Sequence, residues 1–274
     1  MNLPNFKQQG LSLVELLIAM VLGLFLTAGA LEMMLASRNL ERTTDDLSRI
    51  QENGRFAIEF LARDLRMAGY GVQDNGAINK PFYDGNCKDA DFSPCTDDGG
   101  AAFSDRIAIM TNPENDQDCT GATVGINEQI ANVYFLGPDD TNNNVMSLYC
   151  RGYNIDADDW ISVAQPLVSG IENMQILYGL PVSPTSPDRE ITRYVGADTI
   201  HGDPNSARLW SVVSTVRLSL LVNNGLENGN NDTATRKFVL LDAPEQTFTD
   251  KHSREVYRTT TAAYNVLYNT AGTE

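Results

Sequence analysis

Charge is absent from Leu16 to Leu31, and with Glu15 as its one acid the apolar stretch reaches back to Leu11, 21 residues in all. At about 1.5 Å per residue such a helix covers about 31 Å, enough to cross the hydrocarbon of a bilayer. The pattern then changes. From Glu32 to Ala68 there is no proline, and apolar residues recur at Leu47, Ile50, Ala57, Leu61, Leu65 and Ala68, the three-and-four spacing of an amphipathic helix. Arg42 with Asp46, Arg55 with Glu59, and Glu59 with Arg63 place opposite charges four apart on its solvated face. Gly69 and Gly71 flank Tyr70 and supply the stop. One helix is therefore predicted from Leu11 to Ala68, with Gly54 as its weak point and a slight bend there. Its apolar side, Phe56, Phe60, Leu61 and Leu65, requires cover from something downstream.

Residues 72 to 104 are rich in Gly, Asp, Asn and Pro and read as a long loop. Seven strand-like runs follow: DRIAIMT (105–111), QIANVYFL (129–136), VMSLYC (145–150), NMQILYGL (173–180), WSVVSTVRLSLLVN (210–223), RKFVLLD (236–242) and REVYRTTTAAY (254–264). Alternation is clearest at Val212, Ser214, Val216, Leu218 and Leu220. Turn-forming clusters such as PDDTNNN and NNGLENGNNDTA separate the runs. The prediction is an α+β fold in which a long amino-terminal α-helix carries an antiparallel β-sheet head on its outer half.

The net charge is −16, and beyond residue 68 there are 13 Lys and Arg against 28 Asp and Glu. Phosphate recognition draws on clustered Lys and Arg, so this head argues against direct nucleic-acid binding and against anionic membrane surfaces. Cys87, Cys95, Cys119 and Cys150 form no CxxC pair of the kind a zinc site or a redox centre uses. Two disulfides in an oxidising compartment fit better. Three pairings are open. Proximity in sequence favours Cys87 with Cys95 and Cys119 with Cys150, the second closing a loop worth about 3–4 kcal/mol in the chain-entropy picture.

Before the apolar stretch stands MNLPNFKQQG. A secretory signal places its cleavage site after the apolar region. Here a glycine ends the polar piece just before that region, so a cut after Gly10 leaves the hydrophobic segment on the mature chain. G-LSLVE followed by an apolar helix resembles the class III leader of type IV pilins and type II secretion pseudopilins. The resemblance implies cleavage between Gly10 and Leu11 by a membrane prepilin peptidase and N-methylation of Leu11, where the family usually carries Phe. It also makes Glu15 the family's glutamate at the fifth mature position. A carboxylate in hydrocarbon costs about 2.5–3.5 kcal/mol on insertion scales and is retained when it has a partner. Glu15 lies about 6 Å along the helix from Leu11, within reach of an amino terminus. In pilins the implied partner is the neighbouring subunit's terminal amine, which sets axial register. Lys7 on the leader side leaves the leader cytoplasmic and the head outside the inner membrane.

The stretch NGRFAIEFLARDLRMAGYG, residues 53 to 71, is similar to the signature of PilW-type minor pilins, relatives of the J-type pseudopilin of type II secretion. The resemblance divides the chain into a leader (1–10), a membrane-spanning helix half (11–31), a periplasmic amphipathic half (32–68) and a β-rich periplasmic head (69–274). It implies a minor pilin that helps prime a type IV pilus and sits at its tip, in an apparatus for twitching motility, adhesion and DNA uptake. The alternative it leaves open is the J-type pseudopilin. The implied partners are the major pilin and other minor pilins through the amino-terminal helix, the prepilin peptidase, the inner-membrane assembly platform and a tip adhesin. The implied location is the inner membrane, then the pilus at the cell surface.

Neither His201 nor His252 lies in a nucleophile elbow, an HExxH or a Cys/His cluster, and both are expected on the surface. NIDADDW copies the start of a calcium loop with Asn154, Asp156 and Asp158, but Asp159 replaces the turn glycine and Gln165 the closing glutamate. A solvated loop is the stronger reading, as it is for DGNCKDADFSPCTDDGG. Trp160, Trp210 and Tyr264 are expected in the core. No catalytic residue, metal ligand or cofactor site is assigned, and the chain is expected not to be an enzyme.

Overall fold

The computed structural model describes residues 12–71, 80–99, 104–112, 117–125, 128–183, 190–225 and 233–268. It falls into two compact units, residues 1–46 and 47–274. Helix α1 (Leu13–Met67) begins with the Leu16 N–H donating to Ser12 O (3.1 Å) and runs unbroken through Gly54. It ends where Gly69 and Gly71 take φ of 78° and 63°, a left-handed geometry that side chains with a Cβ disfavour. From Ser12 to Asp45 every residue is exposed, whereas Ile50, Gly54, Ala57, Leu61, Ala62 and Leu65 are buried. The change of sequence pattern is thus a change of surroundings.

Among the described residues the second unit holds three antiparallel sheets. The first has the order β1 (Ile107–Thr111), β2 (Ile130–Asp139), β3 (Val145–Asn154), β4 (Asp159–Trp160), with β5 (Gln165–Ser169) also paired to β3. The second has the order β11 (Arg254–Ala262), β8 (Thr215–Asn223), β6 (Ile171–Pro181), β7 (Ile191–Val195). The third is the hairpin of β9 (Ala234–Phe238) and β10 (Gln246–Asp250). Short helices α2 (Ala197–His201), α3 (Ser206–Val212) and α4 (Tyr264–Tyr268) complete the unit. One buried cluster joins the inner face of α1 to Ile109, Tyr134, Met174, Ile176, Leu218 and Leu220. Trp210 stands in it edge-on to Tyr178 (4.8 Å) and Phe82 (6.2 Å). The fold is α+β.

Several expectations are corrected by this packing. The run at 210–223 divides, because Leu209, Trp210 and Val212 are buried from a helix and strand β8 starts only at Thr215. The run at 236–242 stays in a strand only to Phe238; Leu241 turns to φ 45°. Phe56 is 46% exposed and not covered by the sheet, while Tyr264 is 51% exposed at the start of α4. Trp160 is half-buried. His201 is half-buried rather than on the surface, with Nε2 2.9 Å from Thr96 O and its ring 5.3 Å from Trp210. His252 is also half-buried, with Nδ1 3.2 Å from Asn224 Oδ1.

Candidate assembly surface

Glu15 lies in the first turn of α1 and is exposed, as are its apolar neighbours Leu13, Val14, Leu16 and Leu17. Early position suits a carboxylate, because the unpaired N–H groups of a helix start carry partial positive charge. Leu24, Phe25 and Leu26 are 69–76% exposed on the same segment, and this segment is long and apolar enough to cross a membrane. Such a surface requires lipid or apolar neighbours around it. Gly10 and Leu11 lie outside the described residues.

The outer part of the helix is fastened to the sheets by specific polar contacts as well as by its apolar stripe. Asp64 Oδ2 accepts from Tyr134 OH (2.6 Å) and Asn132 Nδ2 (2.9 Å), both on β2. Tyr134 is fully buried, and burial, reinforced by the Asp64 charge, raises its pKa well above the ordinary value, so it stays a donor. Asn53 Nδ2 donates to Ser169 O (2.9 Å) and the Gly69 N–H to Met110 O (2.8 Å). Gly54 faces β11 so closely that a Cβ there would stand 2.4 Å from the Tyr257 ring. The opposite face remains open. Phe56, Phe60, Glu59 and Arg63 line a shallow apolar depression on it.

All four cysteines are paired, Cys87 with Cys95 and Cys119 with Cys150. Cys87 and Cys95 join Tyr83, Phe92, Phe135, Tyr153 and Trp160 in a second apolar cluster on the first sheet. Arg106 over Phe92 (4.7 Å) and Arg151 over Trp160 (4.1 Å) cap these rings. The other bridge ties a loop to Cys150, which is fully buried on β3. Cys119→Ser is expected to lower stability by about 2–4 kcal/mol, read from reducing and non-reducing melts of the full chain. Leader processing should be unaffected. Equal melting with and without reductant in the wild type would remove the stabilising role.

A cleft of ≈ 390 Å³ opens beside the end of α1, lined by Arg63, Asp64, Ile109, Gln117, Asp118 and Asn132. Its acids are already engaged. Asp118 Oδ1 accepts from Thr120 N (2.8 Å), Thr120 Oγ1 (2.6 Å) and Ala122 N (2.9 Å). The NIDADDW turn is likewise self-satisfied: Asp156 accepts from Gln129 N (3.0 Å), Asp158 from Tyr153 OH, and Asp159 from Lys88 Nζ (2.7 Å). Among the described residues no group of three or more His, Cys, Asp or Glu is arranged to hold a metal. Elsewhere, Asp105 is buried and its Oδ1 has no hydrogen-bond partner. Burial and the neighbouring Asp98 carboxyl push its pKa up to about 9, against the Ile176 amide that pulls it down.

The family described as type IV pilus-assembly protein W matches residues 133–265. The prokaryotic N-terminal methylation motif matches residues 5–31. The chain is a type IV pilin of the PilW type. The first match takes in this pilin's strands from within β2 to β11 and part of α4; the second takes in Glu15 and the apolar half of α1. Among solved structures, a type IV-like pilin from Thermus thermophilus matches with 12% identity and a TM-score of 0.46, over 80% of this chain and 98% of that one. No curated protein matches. The family is structural rather than enzymatic. In the pilin's sequence Glu15 stands out because an acid is rare in hydrocarbon; Gly54 and Asp64 do not, because their partners Tyr257, Asn132 and Tyr134 are distant in the chain.

Proposed function

We propose that this pilin is a minor subunit that primes a type IV pilus and takes a place at its tip, with α1 anchored in the inner membrane and the head in the periplasm before assembly. The supporting observation is one chain that joins a methylation-motif segment, exposed at every residue from Ser12 to Leu31 and carrying Glu15, to a pilus-assembly W region. Residues 1–10 are the leader, cut between Gly10 and Leu11, and Leu11 is then methylated. Glu15 pairs with the terminal amine of a neighbouring subunit, which relieves the cost of a carboxylate in lipid and sets axial register. The partners are the prepilin peptidase, the assembly platform, the major pilin, other minor pilins and a tip adhesin. The work of assembly comes from outside this chain.

The first test is the mass of the amino-terminal peptide from cells with and without a prepilin peptidase. A peptide starting at Leu11, one methyl group heavier and dependent on the peptidase, is expected; an intact Met1 terminus would refute the pilin cycle. Glu15→Ala should insert in the membrane as well as wild type and lose most of its incorporation into sheared filaments. Normal incorporation would remove the register role. Deletion should abolish surface motility and leave hydrolase secretion intact, whereas the reverse would assign the chain to a type II secretion system.

A further inference from the structure

The Cys87–Cys95 loop returns to the strands at residues 95 to 98. There the Asp97 N–H donates to Arg106 O (3.0 Å) and the Arg106 N–H to Asp97 O (2.9 Å). Asp98 follows beside Gly196, where a Cβ would stand 2.2 Å from the Asp98 Oδ2, and the antiparallel register of this bridge sets Asp98 directly opposite Asp105. Asp105 is 3% exposed, and its Oδ2 accepts from the Ile176 N–H (2.6 Å) on β6. Two ionised carboxylates are both acceptors, so a hydrogen bond between them requires a proton.

Among the described residues no cation is shown to compensate the pair. The other charges acting on the pair are Asp97 on the loop, Asp198 on α2 and Asp242 after β9, all acids, and Tyr178 on β6 is neutral. Arg106 is committed to Asp97 (3.6 Å), Cys95 O (3.0 Å) and Pro94 O (2.7 Å). His201 on α2 engages Thr96 O. Because no metal-holding group of three is present among the described residues, a proton is the fitting counter-charge.

We propose that Asp98 and Asp105 hold one proton between them and that this proton latches the Cys87–Cys95 loop to β1 and β6, so that the loop loosens as pH rises. The pair titrates as a unit, as neighbouring carboxyls do when they cannot both ionise. Burial and the Asp98 charge raise Asp105 from its ordinary 3.8 to about 9. The folded loop therefore keeps a proton that the opened loop releases throughout this window. Its closure is strongest below the ordinary 3.8, weakens as pH rises from there toward 9, and changes no further above it.

Full-length protein in detergent tests both halves of this proposal. Infrared difference spectra should show a protonated carboxyl at pH 7 that disappears near pH 9 and is missing from Asp105→Asn. Hydrogen exchange in peptides covering 81–98, corrected for the chemical rate, should show the open fraction rising about tenfold per pH unit in this window, because opening releases one proton. Asp105→Asn supplies a fixed donor to Asp98, and its exchange should be independent of pH. Two ionised carboxylates at pH 7 would overturn the proposal, and so would a protonated carboxyl with no pH dependence of loop exchange. If Asp105→Asn does not fold, Asp98→Asn and the wild-type profile carry the same decision.

Discussion

Gly54→Ala should destabilise the head, although helix propensity alone predicts the opposite. Alanine is the better helix former by about 1 kcal/mol in an open helix interior. Gly54 is not open: three Tyr257 ring atoms would lie within 2.7 Å of the added carbon. A ring cannot bend away from such a clash as a flexible chain end does, so β11 or α1 must shift, at a cost of about 1–3 kcal/mol. Gly54→Leu should be worse, with loss of cooperative melting. The decisive experiment is a double-mutant cycle in thermal melts of the full chain. With Tyr257→Ala the notch is empty, and Gly54→Ala should then stabilise by about 1 kcal/mol. A stabilising Gly54→Ala in the wild-type background would mean that the close approach of α1 and β11 does not bear on stability.

The same glycine shows where sequence reasoning ended. The helix, its two halves and its stop were legible because each is a local periodic pattern: an uncharged run, the recurrence from Leu47 to Ala68, and Gly69 with Gly71. Gly54 looked like a weak point because its partner lies on the last strand. Alternation at Val216, Leu218 and Leu220 marked β8 correctly, yet extending it back through Ser214 to Val212 crossed into α3, since a short buried helix and a strand both carry apolar residues there. The strands β4, β5, β7 and β10 are two to five residues long with mostly half-exposed side chains, so no apolar alternation announced them. Glu15 could be singled out because it is the one acid in an apolar stretch. Asp98 and Asp105 could not, being two acids among many until the fold buries Asp105 and sets Asp98 opposite it.

Arg254→Met is expected to cost about 3 kcal/mol, near the lower end for a broken buried ion pair because both carboxylates keep some contact with water. The guanidinium is 2% exposed and the carboxylates of Glu172 and Asp250 are 17% and 22% exposed. It donates to Glu172 Oε1 (2.9 Å) on β6 and to both Asp250 oxygens (2.7 Å each) on β10, with the Phe248 ring 4.1 Å away. One side chain thus joins the β9–β10 hairpin to the central sheet, where β11 begins. Hydrogen bonding from Arg254 holds Asp250 down to about 2, outweighing the upward push of burial. A depressed carboxyl contributes stability above its ordinary 3.8 and loses it as pH falls through 2, so the hairpin should detach in strong acid before the core melts. Adding Glu172→Gln and Asp250→Asn to Arg254→Met should recover most of the loss and flatten this acid response, because no charge is then stranded. A single Arg254→Met variant melting within about 1 kcal/mol of wild type would reduce the cluster to an ordinary surface ion pair.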